Sequence, residues 1–400
     1  MINIEQLLQR GIRMPNPAAV VIDDDVALDR ISGQEVVLYP GSRISGARTF
    51  IAAGAQIGGE GPATVENCYV GPGAALKGGY FSNAVFLAKA SCGLGAHVRQ
   101  GTILEEQASV AHTVGLKQTI LFPYVTLGSL INFCDCLMAG GTGRRDHSEV
   151  GSAYIHFNFT PNQDKATPSL IGDVPGGVML NRSPIFLGGQ GGLVGPCRLA
   201  YGTVTAAGII CRHDQLKENH LVLGGKTHTG TVPYTPGNQF GLKRIVENNL
   251  HYIGNLYALG QWYARVRPLF VGDDFPLPLL EGLTATLQEG IDERIRQLGR
   301  LRDKVAATAS DGFPKRFADR WPAIQERIIA LQGFDGEAGE RDRFLEIVAN
   351  RIAATGKTYL KVIGDLAPSE SEVGTRWLAG IVQKVVNETG CLDNAKMLEP

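Results

Sequence analysis

The sequence predicts a mainly β plus α chain: a left-handed parallel β-helix of hexapeptide repeats followed by a C-terminal all-helical domain. Three observations point there. Glycine makes up 51 of the 400 residues, well above the ~7% of ordinary proteins. Apolar residues recur at six-residue intervals, as in Ile51 and Ile57, Val70 and Leu76, Val98 and Leu104, Val114 and Ile120, the run Leu121, Leu127 and Phe133, and Val194 and Ala200. The glycines crowd between Gly33 and Gly241, and beyond them the apolar spacing changes to three and four.

A period of six belongs to neither a helix nor a strand. It fits a three-sided coil in which each hexad sends one apolar side chain into a narrow interior and then turns a corner where a small residue is favoured. Stacked coils satisfy each other's backbone at ~4.8 Å spacing. Breaks in the repeat at residues 58–64, 138–147 and 160–168 are expected to protrude as loops, where repeat proteins carry their sites. A β-sandwich with glycine-rich turns is the alternative fold.

Residues 1–25 read as a helical lead-in, 26–238 as the β-helix and 239–400 as the α-helical domain. In the last of these, Leu280, Leu283, Leu287, Ile291, Ile295, Leu298 and Leu301 form an apolar stripe. Further helices are expected over 322–331, with proline in the first turn, and over 340–355 and 370–387. Trp262, Trp321 and Trp377 read as packing residues. The helical region could cap the prism, cover a face or mediate assembly.

Composition excludes several classes. With 38 basic and 39 acidic residues the net charge is -1, so no global field draws nucleic acid or an anionic membrane, and any polyanion site must be local. No apolar run approaches the ~20 residues of a membrane span. The opening MINIEQLLQRGIRMPNP lacks the apolar core and cleavage site of a signal peptide, and a cytoplasmic location is expected. Seven cysteines include no C-x-x-C pair, which argues against a disulfide framework or structural zinc. Cys134 and Cys136 are expected to share one strand face as buried thiols.

Residues 94–214 resemble the acetyltransferase half of the bifunctional glucosamine-1-phosphate acetyltransferase / N-acetylglucosamine-1-phosphate uridyltransferase family. The stretch FLGGQGGLVGPCRLAYGTVTAAG at 186–208 is similar, without a gap, to that family's F-V-G-S-x-x-x-L-V-A-P-V-x-V-G-x-G-A-x-I-A-A-G. Upstream, SLIGD at 169–173 looks like T-I-I-G-D and HFNF at 156–159 like T-C-N-Y. No L-A-A-G-x-G-T-R-M loop occurs, so the resemblance implies acyl transfer to a sugar phosphate or nucleotide sugar, without uridyl transfer. It further implies a homotrimer with sites between subunits and acetyl-CoA, or another acyl-CoA, as co-substrate.

The resemblance also assigns residues. Arg99 and Lys117, eighteen residues apart, match the pair that holds the sugar phosphate, and a guanidinium fork beside an ammonium suits an anion. Asn158 matches the asparagine of the N-Y pair, Phe159 replaces the tyrosine, and Lys165 lies near a further sugar-phosphate lysine. Ser152, Gly189 and Ala207 match small residues along which pantetheine runs, and Lys226 lies near an arginine for the coenzyme's phosphate.

One departure matters most. Twelve residues after Lys117, where the family carries the histidine that takes the proton from the sugar amine, this chain has Ser129. A serine hydroxyl is no general base near neutral pH without a partner. His147, in the inserted GGTGRRDHSEVG beside Asp146, and His156, two residues before Asn158 and so expected on the same face, are the substitutes. Arg144 and Arg145 in that insert are expected at the edge of the site and could bind a phosphate. Enzyme status stays open, leaning to an acyltransferase. The alternatives are a non-catalytic prism binding a nucleotide sugar or protein partner, and a zinc hydrase of the γ-carbonic-anhydrase kind using His97, His112, His147 and His156. No metal site is expected.

Overall fold

The structure, a computed structural model, describes residues 4–158, 165–224 and 241–390. Lys226, Phe159 and the expected boundary at 238/239 lie outside the described residues. A short helix α1 (Ile4–Gln9) leads into a left-handed parallel β-solenoid of about eleven turns. Its strands stack into three parallel sheets of ten, eight and ten strands, the faces of a prism. Strand pairing already begins at Val21–Ile22, which pairs with Arg43–Ser45.

The hexads map directly onto the faces. Val98 points inward from face 1, Leu104 from face 2 and Val110 from face 3; Leu116, Leu121 and Leu127 repeat the set one coil on. Each fills the interior and is essentially fully buried. Val114 and Ile120 are also six apart but serve otherwise: Val114 is buried just before its strand, and Ile120 is the neighbour of the inward Leu121. The corners need a left-handed backbone residue, and glycine is only one supplier. Gln107, Gln118, Tyr124, Leu130 and Asp135 all take positive φ there.

Cys134 and Cys136 do not share a strand face. Asp135 (φ 62) turns the corner between them, so Cys134 ends a face 1 strand and Cys136 starts a face 2 strand. The insert after face 2 at Met138 forms an antiparallel hairpin of Gly141–Gly143 with Asp146–His147. A second protrusion, carrying helix α2 (Val174–Gly177), has no hexad break foreseen for it.

The remaining helices are α3 (Leu242–Gln261), α4 (Leu277–Ala306), α5 (Gly312–Leu331), α6 (Ala338–Thr355), α7 (Tyr359–Gly364) and α8 (Pro368–Gly390). Trp262, Trp321 and Trp377 are buried among them. Helix α5 starts ten residues before the expected 322, leaving Pro322 in its interior. There the buried stripe Phe317, Trp321, Ile324 and Ile328 outweighs the missing amide.

The helical region covers face 2. The outward side chains of that face are Tyr69, Val85, Ile103, Ile120, Leu137 and Leu170, all buried. Burying such side chains stabilises by ~1.5–3 kcal/mol each. Helix α4 packs so closely that a Cβ on Gly282 would lie 2.5 Å from Cγ of Tyr69. Outward positions on face 1 instead carry Tyr80, His97 and Asn132, which are exposed. Two buried ion pairs join helices to prism: Arg267 with Glu106, and Arg294 of α4 with Asp135.

Candidate active site

Face 1 runs between two edges, and several of the residues expected to bind substrate or coenzyme divide between them. At its exit edge, where the chain turns to face 2, Arg99, Lys117 and Cys134 follow the inward residues Val98, Leu116 and Phe133 in successive coils. Parallel in-register pairing therefore puts their side chains in one outward column. Lys165 joins them from the next coil: Arg99, Lys117 and Lys165 all act on the Cys134 thiol, drawing its pKa down. Burial, with help from Asp135, is the larger effect and leaves it raised. The Nε of Arg99 is buried without a hydrogen-bond partner. Three cations thus meet on a partly exposed patch of a chain whose net charge is -1.

Helix α4 braces this edge. Arg294 Nη2 lies 2.7 Å from Asp135 Oδ1, and its Nη1 donates to the Lys165 carbonyl at 3.4 Å. Burial pushes the Asp135 carboxyl up, and the Arg294 guanidinium opposes it. Asn158 is exposed on the same edge, its Oδ1 accepting from Thr167 at 2.9 Å. The patch can hold an anion and present an amide and a thiol beside it.

The entry edge of face 1, reached from face 3, carries the second set. Backbone bonds from each corner to the coil below align Leu94, His112, Ser129, Ser152, Gly189 and Ala207 in one column. Ser152, Gly189 and Ala207 are therefore collinear with Ser129. The Ser129 amide donates to Ser152 Oγ at 3.1 Å. Small side chains here let a thin ligand run close to the backbone. His112, exposed, stands one coil from Ser129, or about 4.8 Å along the stack.

Neither substitute histidine joins this face. His156 lies in the inward column, opposite Phe133 and Leu193, and is 4% exposed. Its Nε2 is 2.8 Å from Ser169 Oγ, and burial lowers its pKa to about 4. Asn158 is exposed, so the expected shared face fails even though both residues lie in one strand, Ile155–Asn158. His147 belongs to the hairpin at the edge between faces 2 and 3, with its Nδ1 buried and unpaired. Arg144, Arg145 and Asp146 share that hairpin, away from the cation column. Arg144 spends its fork on the structure, donating to the carbonyls of Gln107 and Tyr124 at 2.8 and 2.9 Å and to Thr126 Oγ1 at 3.0 Å.

Cys134 and Arg294 were not picked out as site residues from the sequence, and His112 only as one of four histidines of the zinc-hydrase alternative. His112 had a signal, since it precedes Ser129 by the same 17 residues that separate Leu116 from Phe133. Arg294 had none, because nothing local pairs it with Asp135. Among the described residues, no group of three or more His, Cys, Asp or Glu is placed to hold a metal ion. Among them too, no helix is long and apolar enough to cross a membrane.

The chain is similar to the bifunctional protein GlmU. It is 26% identical over 234 residues to that of Thermotoga maritima, covering 54% of this chain and 42% of that protein. The Clavibacter sepedonicus protein is 27% identical over 204 residues, covering 51% of this chain and 36% of its own. That of Pelobacter propionicus is 26% identical over 209 residues, covering 52% and 40%. The chain thus spans less than half the length of the curated relatives it matches. No protein-family model matches the chain.

Proposed function

We propose that this chain is a hexapeptide-repeat acyltransferase of UDP-N-acetylglucosamine-related metabolism, with face 1 as its reaction surface. The observation that carries the reading is the meeting of Arg99, Lys117 and Lys165 around Cys134 on one edge of that face. The column of Ser129, Ser152, Gly189 and Ala207 borders the other. The cations hold the phosphate of a sugar phosphate or nucleotide sugar, Asn158 binds a sugar amine or hydroxyl, and acetyl-CoA or another acyl-CoA lies along the small-residue column. The sugar nitrogen or oxygen attacks the thioester carbonyl carbon, the C–S bond breaks, and the coenzyme leaves as thiolate and takes up a proton. His112 accepts the proton lost by the nucleophile, replacing the missing histidine at Ser129 from one coil away.

A homotrimer fits this reading. Phe186, Val204 and Leu221 are exposed and stacked in register on face 3, an apolar stripe suited to a neighbouring prism. Lys226 would contribute to the coenzyme's phosphate, and the location would be cytoplasmic. A second reading, a non-catalytic binder of a nucleotide sugar, is favoured by Ser129 itself.

The experiment is release of free thiol from acetyl-CoA with glucosamine 1-phosphate and a panel of other sugar phosphates. Turnover is expected, with His112→Ala reducing it by ~10²–10⁴-fold and His147→Ala leaving it unchanged. No release with any acceptor, alongside retained binding of UDP-N-acetylglucosamine, sinks the enzyme reading in favour of the binder. Turnover unaffected by His112→Ala removes His112 as the base.

A further inference from the structure

A separate cavity of about 390 Å³ lies between the prism and the helical region, at the edge where face 2 turns to face 3. It is far from the cation column in construction, being built on Glu106, Gln107, Lys89 and the corner residues below them. Its inner wall is aromatic and buried, formed by Phe270, Phe275 and Tyr359. Exposed charges of both signs, Glu35, Lys89, Asp274 and Lys357, ring the mouth.

Glu106 is the polar group within. It is 6% exposed, and its Oε1 pairs with Arg267 Nη2 at 2.5 Å. Its Oε2 is buried and has no hydrogen-bond partner. Leaving a buried acceptor unpaired is unfavourable, more so for a charged group, and Oε2 asks for a donor.

Charge counting says which donor. Among the described residues, wholly buried Arg267 is the cation paired with Glu106, and its guanidinium is sandwiched between Tyr359 and Phe275 at 3.9 and 4.1 Å. Glu105 lies beside it, fully buried, accepting from Tyr263 Oη at 2.5 Å. Arg267 also leaves its Nε and Nη1 buried without partners, but of the pair only Glu106 lines the cavity; two carboxylates against one guanidinium leave an excess of negative charge when both are ionised, and the Glu105 carboxyl is held up at about 7, by burial first and by Glu106 second. A ligand cation would balance this group, and the aromatic faces around it favour cations as well.

We propose that this cavity is a second binding site, for a small organic cation with an apolar body and an ammonium head that donates to Glu106 Oε2. The apolar part lies against Phe270, Phe275 and Leu360, and the head reaches Glu106 past the corner of Ala88, its neighbour in the stack. A neutral alcohol of the same shape can donate one hydrogen bond but leaves the charge unbalanced. A carboxylate meets Glu106 with like charge.

The test is calorimetric titration of the full chain with benzylammonium, benzyl alcohol and benzoate at neutral pH. Saturable binding of benzylammonium is expected, with the alcohol at least tenfold weaker and benzoate not binding. Glu106→Gln should weaken benzylammonium by about tenfold or more. Because that variant disturbs Arg267, Ala88→Phe, which adds bulk to the cavity one corner from Glu106 and keeps both charges of the ion pair, should abolish binding while the thermal unfolding curve stays cooperative. Absence of saturable benzylammonium binding, equal binding of the alcohol, or binding that survives Ala88→Phe overturns the proposal. Thiol release from acetyl-CoA is unaffected by either outcome, so failure here is separable from failure of the transferase reading.

Discussion

Replacing His156 by leucine tests whether the prism interior holds a neutral imidazole. The residue is 4% exposed and its pKa is lowered to about 4 by burial, against an unfolded value near ~6.5. The folded value is the lower one, so the unfolded chain binds the proton first as pH falls. Stability is therefore full above about pH 6.5 and is lost progressively down to about pH 4. Between about pH 8 and about pH 5, this single group removes ~2 kcal/mol. His156→Leu, with leucine like its neighbours Leu116 and Leu193 in the inward column, loses the bond to Ser169 and should be less stable near pH 8. It should also lose ~2 kcal/mol less than the wild type on going to about pH 5. Urea unfolding followed by circular dichroism at both pH values measures the difference, and the subtraction cancels other titrating groups, including His251, which burial also lowers to about 4. A wild-type and variant gap equal at the two pH values would refute the reasoning.

Other outcomes follow from the joint between prism and helices. Arg294→Met strands the buried Asp135 carboxylate and should cost ~3–5 kcal/mol by thermal or urea unfolding, with Asp135→Asn in the same chain restoring much of it; additive losses would show the pair is not coupled. Gly282→Ala drives a Cβ to 2.5 Å from the Tyr69 ring, and should cost ~1–3 kcal/mol by the same assay. Glu105 has a folded pKa raised to about 7, so its contribution runs the other way: stability present at low pH is lost as pH rises from about 4.5 through about 7. Glu105→Gln should flatten that loss, and an unchanged profile between about pH 5 and pH 8 would contradict the burial of this carboxyl.

The repeat made the prism legible because one buried side chain per hexad is a strict demand of a narrow interior, and Leu121, Leu127 and Phe133 satisfy it on three successive faces. The cover on face 2 was legible too, had the residue before each inward one been compared between faces: Val85, Ile103 and Leu137 are apolar where His97 and Asn132 are polar. Long-range chemistry was not. Arg294 reaches Asp135 across 159 residues of chain, and no local pattern encodes that pairing. Histidines were misplaced for a simpler reason. Strand alternation says that His156 and Asn158 share a side, but Asn158 is the last residue of its strand and is exposed at the edge of the face, while His156 points into the interior. The insert with Arg144 and His147 left the prism at a different corner from Arg99, which residue spacing shows only when corners are counted in turn.

The central claim is that the edge of face 1 carrying Arg99 and Lys117 binds a sugar phosphate. Calorimetric titration of glucosamine 1-phosphate into the wild type, Arg99→Ala and Lys117→Ala tests it most directly. The account predicts saturable binding that weakens by about tenfold or more in each variant and falls with added salt. Binding of equal strength in all three proteins would contradict it, as would no binding to the wild type.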